Sequence, residues 1–176
     1  MIPIRNRKKT LQVTVDEMRN FALSYVEKYA PSKQQLRTYL LKKYLKSSVP
    51  NVKKQDVTSL IDIVLSDLEK SKFINDKFYS ESKAKSMIQR GSSINKIRSY
   101  LIGKGINSEF IKDTVNKIQD ENSDQDFFSA IKICKKKRIG PARTEDNRPL
   151  FYKKDISLLA RNGFDFETSK KVMEIE

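Results

Sequence analysis

The chain has 176 residues, 38% of them hydrophobic and 33% charged, with a formal net charge of +14, a single Cys, no Trp and no His. Without His the usual general base near neutral pH and the commonest metal ligand are missing, and one Cys excludes an internal disulfide. The lean apolar content favours several thin helical layers over one deep core, and five Gly and five Pro argue against a turn-rich β architecture.

Residues 1–13 read as a flexible basic arm; no apolar signal-peptide core follows its charges. No run of about 18 apolar residues exists, so no membrane span is expected, and a cytoplasmic protein is the expectation. Thr14 opens a capping box with Glu17, in which side chains satisfy free backbone N–H groups at a helix start. Met18, Phe21, Ala22, Tyr25, Val26 and Tyr29 then keep helical spacing until Pro31. Ser32 and Gln35 form a second box ahead of Leu36, Tyr39, Leu40 and Tyr44. A loop over Ser47–Asn51 precedes a third helix, about Lys54 to Ser71, with Val57, Leu60, Ile61, Val64, Leu65 and Leu68 inward.

The pattern begins again at Asn75, the expected N-cap of a helix through Arg90 with Phe78, Ala84, Met87 and Ile88 as its apolar members. Gly91-Ser92-Ser93 breaks the chain and caps a helix carrying Ile94, Ile97, Leu101 and Ile102 inward. Gly105 sits where a left-handed C-terminal residue is wanted, and Asn107 caps a helix with Phe110, Ile111, Val115 and Ile118. A third round starts at Ser123, with Asp126 as box partner, and carries Phe127, Phe128, Ile131, Ile133 and Cys134. A polar connection from Gly140 to Pro149 leads to a helix over about Lys153 to Asn162, stopped by Gly163. Asp165 caps a last helix containing Phe166, Val172 and Met173.

The rounds echo one another. Leu36-Arg37-Thr38-Tyr39-Leu40-Leu41 aligns without a gap with Ile97-Arg98-Ser99-Tyr100-Leu101-Ile102, and Lys104-Gly105-Ile106-Asn107 aligns with Asn162-Gly163-Phe164-Asp165. The expected fold is all-α: three tandem three-helix repeats, 14–73, 74–122 and 123–176, forming an elongated, curved helical array.

Residues for chemistry are scarce. Gly103-Lys104-Gly105 lies at a helix end, not between a strand and a helix as a phosphate loop requires. Asp120, Glu121, Asp124 and Asp126 have the composition of a Mg²⁺ site, but they flank a helix start, where the dipole favours carboxylates. Cys134 reads as a buried helix residue; the competing reading is a thiol activated by Lys135 to Lys137. No enzyme, cofactor or metal is expected.

The charge is more informative. Ala130 to Lys171 carries 12 Lys or Arg against 5 Asp or Glu, a net +7, which points to a polyanionic partner. Arg90, Lys96, Arg98 and Lys104 gather around the second helix of round two. Arg98, next to Ile97, should border the buried stripe, placed for a bidentate anion contact or for an ion pair with a neighbouring repeat. Lys135, Lys136, Lys137 and Arg138 are four charges on one helix end, more than the helix dipole explains. Lys153 and Lys154 follow Phe151 and Tyr152, aromatics that serve either as core or, if exposed, as base-stacking platforms.

Phe73-Ile74-Asn75-Asp76-Lys77-Phe78, Arg90-Gly91, Ile97-Arg98, Leu101 and Lys104-Gly105-Ile106 resemble the central motif of the RecX family. Leu158-Leu159-Ala160-Arg161-Asn162-Gly163-Phe164, with Glu167 and Val172, resembles its C-terminal motif. The likeness covers about residues 17–176. It departs at Ser93-Ile94, where family members often carry Gly-Pro, and in inserts around Lys46 to Lys54 and Arg143 to Tyr152. The resemblance implies three three-helix repeats and a modulator of the RecA–single-stranded DNA filament; beside it, a monomer is the expectation, with duplex DNA as a further candidate ligand. Arg161 joins the basic residues above as a candidate contact. The residues alone leave a free-standing nucleic-acid binder as the alternative.

Overall fold

The computed structural model describes residues 11–46 and 53–175. The arm read over 1–13 lies outside them up to Thr10, and the loop read over Ser47–Asn51 lies outside them entirely. Among the described residues there are nine α-helices and no strand, in two compact units that divide between Asn75 and Asp76.

The first unit holds α1 (Val15–Tyr29), α2 (Lys33–Lys46) and α3 (Lys54–Lys70). The box at Ser32 is complete: the Ser32 N–H donates to Gln35 Oε1 at 3.1 Å, and the Gln35 N–H donates to Ser32 Oγ at 3.2 Å. Thr14 Oγ1 accepts from the Glu17 N–H at 3.3 Å, while the Glu17 carboxylate accepts from the backbone N–H of Gln12. Met18 and Ala22, Leu36, Leu40 and Tyr44, and Val57 to Leu68 at helical spacing bury one stripe per helix. Each fully buried aliphatic side chain contributes about 1.5–3 kcal/mol. Tyr29, at the end of the spaced apolar set, is 54% exposed; it is the last residue of its helix, and the chain turns into the left-handed region at Ala30 (φ 41°). Three ion pairs tie the helices over the core: Arg19–Asp67 at 2.7 Å, Lys33–Glu69 at 2.6 Å and Arg37–Asp62 at 2.9 Å.

The second unit holds α4 (Asp76–Gln89), α5 (Ile94–Gly103), α6 (Ser108–Glu121), α7 (Gln125–Lys137), α8 (Arg148–Arg161) and α9 (Phe166–Met173). One buried cluster, including Ala84, Ile97, Leu101 and Val115, joins α4, α5 and α6. Another, including Ala130, Cys134, Leu159 and Val172, joins α7, α8 and α9. Ser93, Asn107 and Asp165 cap as expected, accepting from the N–H groups of Lys96, Glu109 and Thr168. Gly105 has φ 71°.

Four expectations are corrected. Phe78 is 68% exposed; the inward positions of α4 are Tyr79, Ser80 and Ala84, and a hydrogen bond between the Ser80 and Thr114 hydroxyls at 2.9 Å lets a polar residue take an inner place. Ile102 is 66% exposed, because Leu101 beside it fills the core. The helix expected from Lys153 starts at Arg148, with Pro149 in its first turn, where a missing N–H leaves no bond unmade. The box between Ser123 and Asp126 does not form: α7 starts at Gln125, and the Asp126 carboxylate accepts from the backbone N–H of Ile94 at 2.8 Å.

Candidate partner-binding surface

The N-terminus of α5 is the meeting point of the second unit. Ser93 Oγ accepts the Lys96 N–H at 3.1 Å and donates to the carbonyl of Asn162 at 2.8 Å. Asn95 Nδ2 donates to the Gly163 carbonyl at 3.1 Å, and Lys96 Nζ to Asn162 Oδ1 at 3.1 Å. Gly163 has φ 89°, and a Cβ there would lie 2.5 Å from Ser93 Oγ. The α8–α9 turn can therefore approach only as glycine. On the other side, a Cβ on Gly91 (φ 82°) would lie 3.0 Å from the Ser129 carbonyl and 3.1 Å from Lys132 Cβ, so the α4–α5 turn rests on α7. Asp126 closes the junction. Burial pushes its carboxyl above the ordinary range, against the opposing pull of the Ile94 N–H and of Arg98.

The far end of α7 meets the middle of α8. Arg138 ends α7 in the left-handed region (φ 54°). Asp155, 1% exposed, accepts from Arg143 Nε at 2.6 Å, Arg143 Nη2 at 3.0 Å and the Gly140 N–H at 2.9 Å. Burial pushes this carboxyl up, but the guanidinium and the amide outweigh it and hold it below the usual carboxylate range. Arg143 also lies 4.4 Å from the ring centre of Phe151, and Arg148 donates to the carbonyls of Arg143, Pro141 and Ile175. The lengthened connection is thus stapled by two half-buried arginines. Cys134 is fully buried, with its thiol pushed up to about 11 by burial, so the activated-thiol reading is set aside.

The candidate cations fall into two groups and one outlier. Lys96, Arg98 and Arg161 belong to the α5–Asn162 junction, and Arg90 adjoins it through Gly91. All four are exposed, although Lys96 already serves Asn162 and Arg90 donates to Ser86 Oγ at 3.0 Å. Lys135, Lys136, Lys137 and Arg138, at the end of α7, and Lys153 and Lys154, on α8, lie toward the Asp155 end and are exposed. Lys104 stands apart at the end of α5, its ammonium 5.2 Å from the Tyr100 ring centre. Tyr152 is 37% exposed and Leu150 is 78% exposed, whereas Phe151 is half-buried under Arg143. The acidic residues expected to cap do not gather: no group of three His, Cys, Asp or Glu placed to hold a metal ion occurs among the described residues. No helix there is long and apolar enough to cross a membrane.

Comparison with known proteins decides the family. A scan of family models gives no match. Regulatory protein RecX of Myxococcus xanthus is 32% identical over 97% of this chain and 91% of its own length. The chain belongs to the RecX family. Regulatory protein RecX of Clostridium botulinum is 27% identical over 89% of this chain and 66% of its own length. A crystal structure of a regulatory protein RecX superposes with a TM-score of 0.63 at 20% identity, covering 92% of this chain and 74% of that one, and so shares the fold.

Within this RecX-family chain, sequence reasoning passed over Lys132. It is exposed one turn ahead of Lys135 and Lys136 and lies against the Arg90–Gly91 turn. The signal was its i, i+4 spacing to Lys136. Asp126 and Asp155 were also missed as partners of distant backbone groups, since neither contact is local in sequence.

Proposed function

We propose that the protein binds the RecA–single-stranded DNA filament and restrains its ATPase, coprotease and strand-exchange activities, without a covalent step. The observation that carries this reading is membership of the RecX family along 97% of the chain. The exposed cations at the α5 junction and at the end of α7 support it. Positive potential accelerates association with an anionic filament and makes binding sensitive to salt. Arg90, Lys96, Arg98, Lys104, Lys135, Lys136, Lys137, Arg138, Lys153, Lys154 and Arg161 are the proposed filament-facing residues, and three three-helix repeats are the proposed organisation.

The test is RecA's single-stranded-DNA-dependent ATPase, with the protein titrated in at near-physiological salt. Inhibition well below one molecule per RecA protomer is the expected result. No change in excess, with filaments confirmed present, would refute the reading. The net +7 between Ala130 and Lys171 favours a second reading, a free-standing nucleic-acid binder. Tight, saturable DNA binding in the absence of RecA would support that alternative.

A further inference from the structure

Arg37 and Arg98 stand at the same place in the internal echo of the chain, and their charged partners differ. Aligning buried residues pairs Met18 and Ala22 with Ser80 and Ala84, Leu36 and Leu40 with Ile97 and Leu101, and Ile61, Leu65 and Leu68 with Ile111, Val115 and Ile118. In that register Asp62 corresponds to Lys112, Asp67 to Lys117 and Arg19 to Glu81. The Arg19–Asp67 pair survives with its signs exchanged, as Lys117 to Glu81 at 3.4 Å. The Arg37–Asp62 pair does not survive. Arg37 grips its carboxylate with two bonds, at 2.9 and 3.2 Å, whereas the residue aligned with that carboxylate in the second round is Lys112. Arg98 is exposed and makes no hydrogen bond or ion pair among the described residues. Asp126 attracts it, but the two form no hydrogen bond or ion pair.

The same face of α5 has another unspent feature. Ile102, one turn beyond Arg98, is 66% exposed.

We infer that the outer face of α5, through Arg98 and Ile102, docks an acidic segment of a protein partner, one of whose carboxylates meets Arg98 as Asp62 meets Arg37. A carboxylate is favoured over a DNA phosphate because the chain's own precedent is a carboxylate, and because Ile102 offers apolar area that a sugar-phosphate backbone does not match. A bidentate arginine beside an exposed apolar side chain is the composition of a protein interface core. The inference rests on the proposed function and names RecA protein, not the DNA it coats, as what this face meets.

The experiment measures affinity of the full chain for RecA–single-stranded DNA filaments and, separately, for the bare oligonucleotide. Wild type is compared with Arg98→Glu, Arg98→Lys and Ile102→Ser, with helicity and Tm recorded for each. Arg98→Glu should weaken filament binding at least about tenfold, Arg98→Lys less, and Ile102→Ser by several fold, with oligonucleotide binding unchanged. Equal filament binding by wild type and variants would overturn this inference alone. An equal loss on bare DNA would replace the protein partner by phosphate and overturn it too. A wild type that ignores filaments would remove the proposed function, and this inference with it.

Discussion

Asp155 is the residue least expected where it stands. In the register of Leu159 with Leu101 and Leu40 it takes the place of Ile97 and Leu36, both fully buried. A carboxylate there survives because it is met by three donors. Asp155→Ala leaves the Gly140 N–H and the Arg143 guanidinium without their acceptor, and should lower stability by about 1–3 kcal/mol, the cost of an unsatisfied buried donor, read as a fall of several degrees in Tm. Its folded pKa is depressed, so its contribution is complete above the ordinary Asp value of about 3.9 and fades as pH falls below that value. Acid unfolding of wild type should therefore begin at higher pH than that of a variant in which Asp155 and Arg143 are replaced by apolar residues. Asp126 has the opposite sign: burial raises its pKa, so the charged form is disfavoured and acid does not weaken this site until other groups fail. Asp126→Asn keeps an acceptor for the Ile94 N–H and should be nearly silent in Tm, whereas Asp126→Ala should cost about 1 kcal/mol, as loss of a helix cap does.

At the level of helices, the sequence was most legible where the deciding contact is local. Ser32 with Gln35, Ser93 with Lys96, Asn107 with Glu109 and Asp165 with Thr168 lie two or three residues apart, and all form. It was least legible where two apolar neighbours compete for one inward place, as at Phe78–Tyr79 and Leu101–Ile102. Spacing alone does not say which of such a pair reaches the core. The early start of α8 was hidden by Pro149, which reads equally as a loop residue and as a first-turn residue. The candidate site was legible as a list of cations but not as a grouping, since contacts such as Lys96 to Asn162 span 66 residues. Gly163→Ala tests the tightest of these contacts. A Cβ 2.5 Å from Ser93 Oγ, on a backbone at φ 89°, should cost more than about 1 kcal/mol, while Gly103→Ala, in open space, should raise helix stability slightly.

For the molecule as a whole, charge and fold are unevenly distributed. The first unit ties cations to carboxylates across its helices, whereas the Ala130–Lys171 stretch carries its net +7 largely on exposed side chains. Reversing Lys135, Lys136 and Lys137 to Glu should weaken filament binding and flatten its salt dependence while helicity stays unchanged; persistence of binding would reduce the patch to a solvated face. The reach of the Asp126 carboxylate to the Ile94 amide has a consequence for folding. The first free N–H of α5 finds its acceptor only once α7 is in place, and the Ser93 hydroxyl finds its own only once the Asn162 turn arrives. The helices on either side of this junction therefore cannot open one at a time without stranding polar groups. They form a cooperative unit, and in hydrogen exchange the amides at the start of α5 should lose protection together with those of α7 and the end of α8.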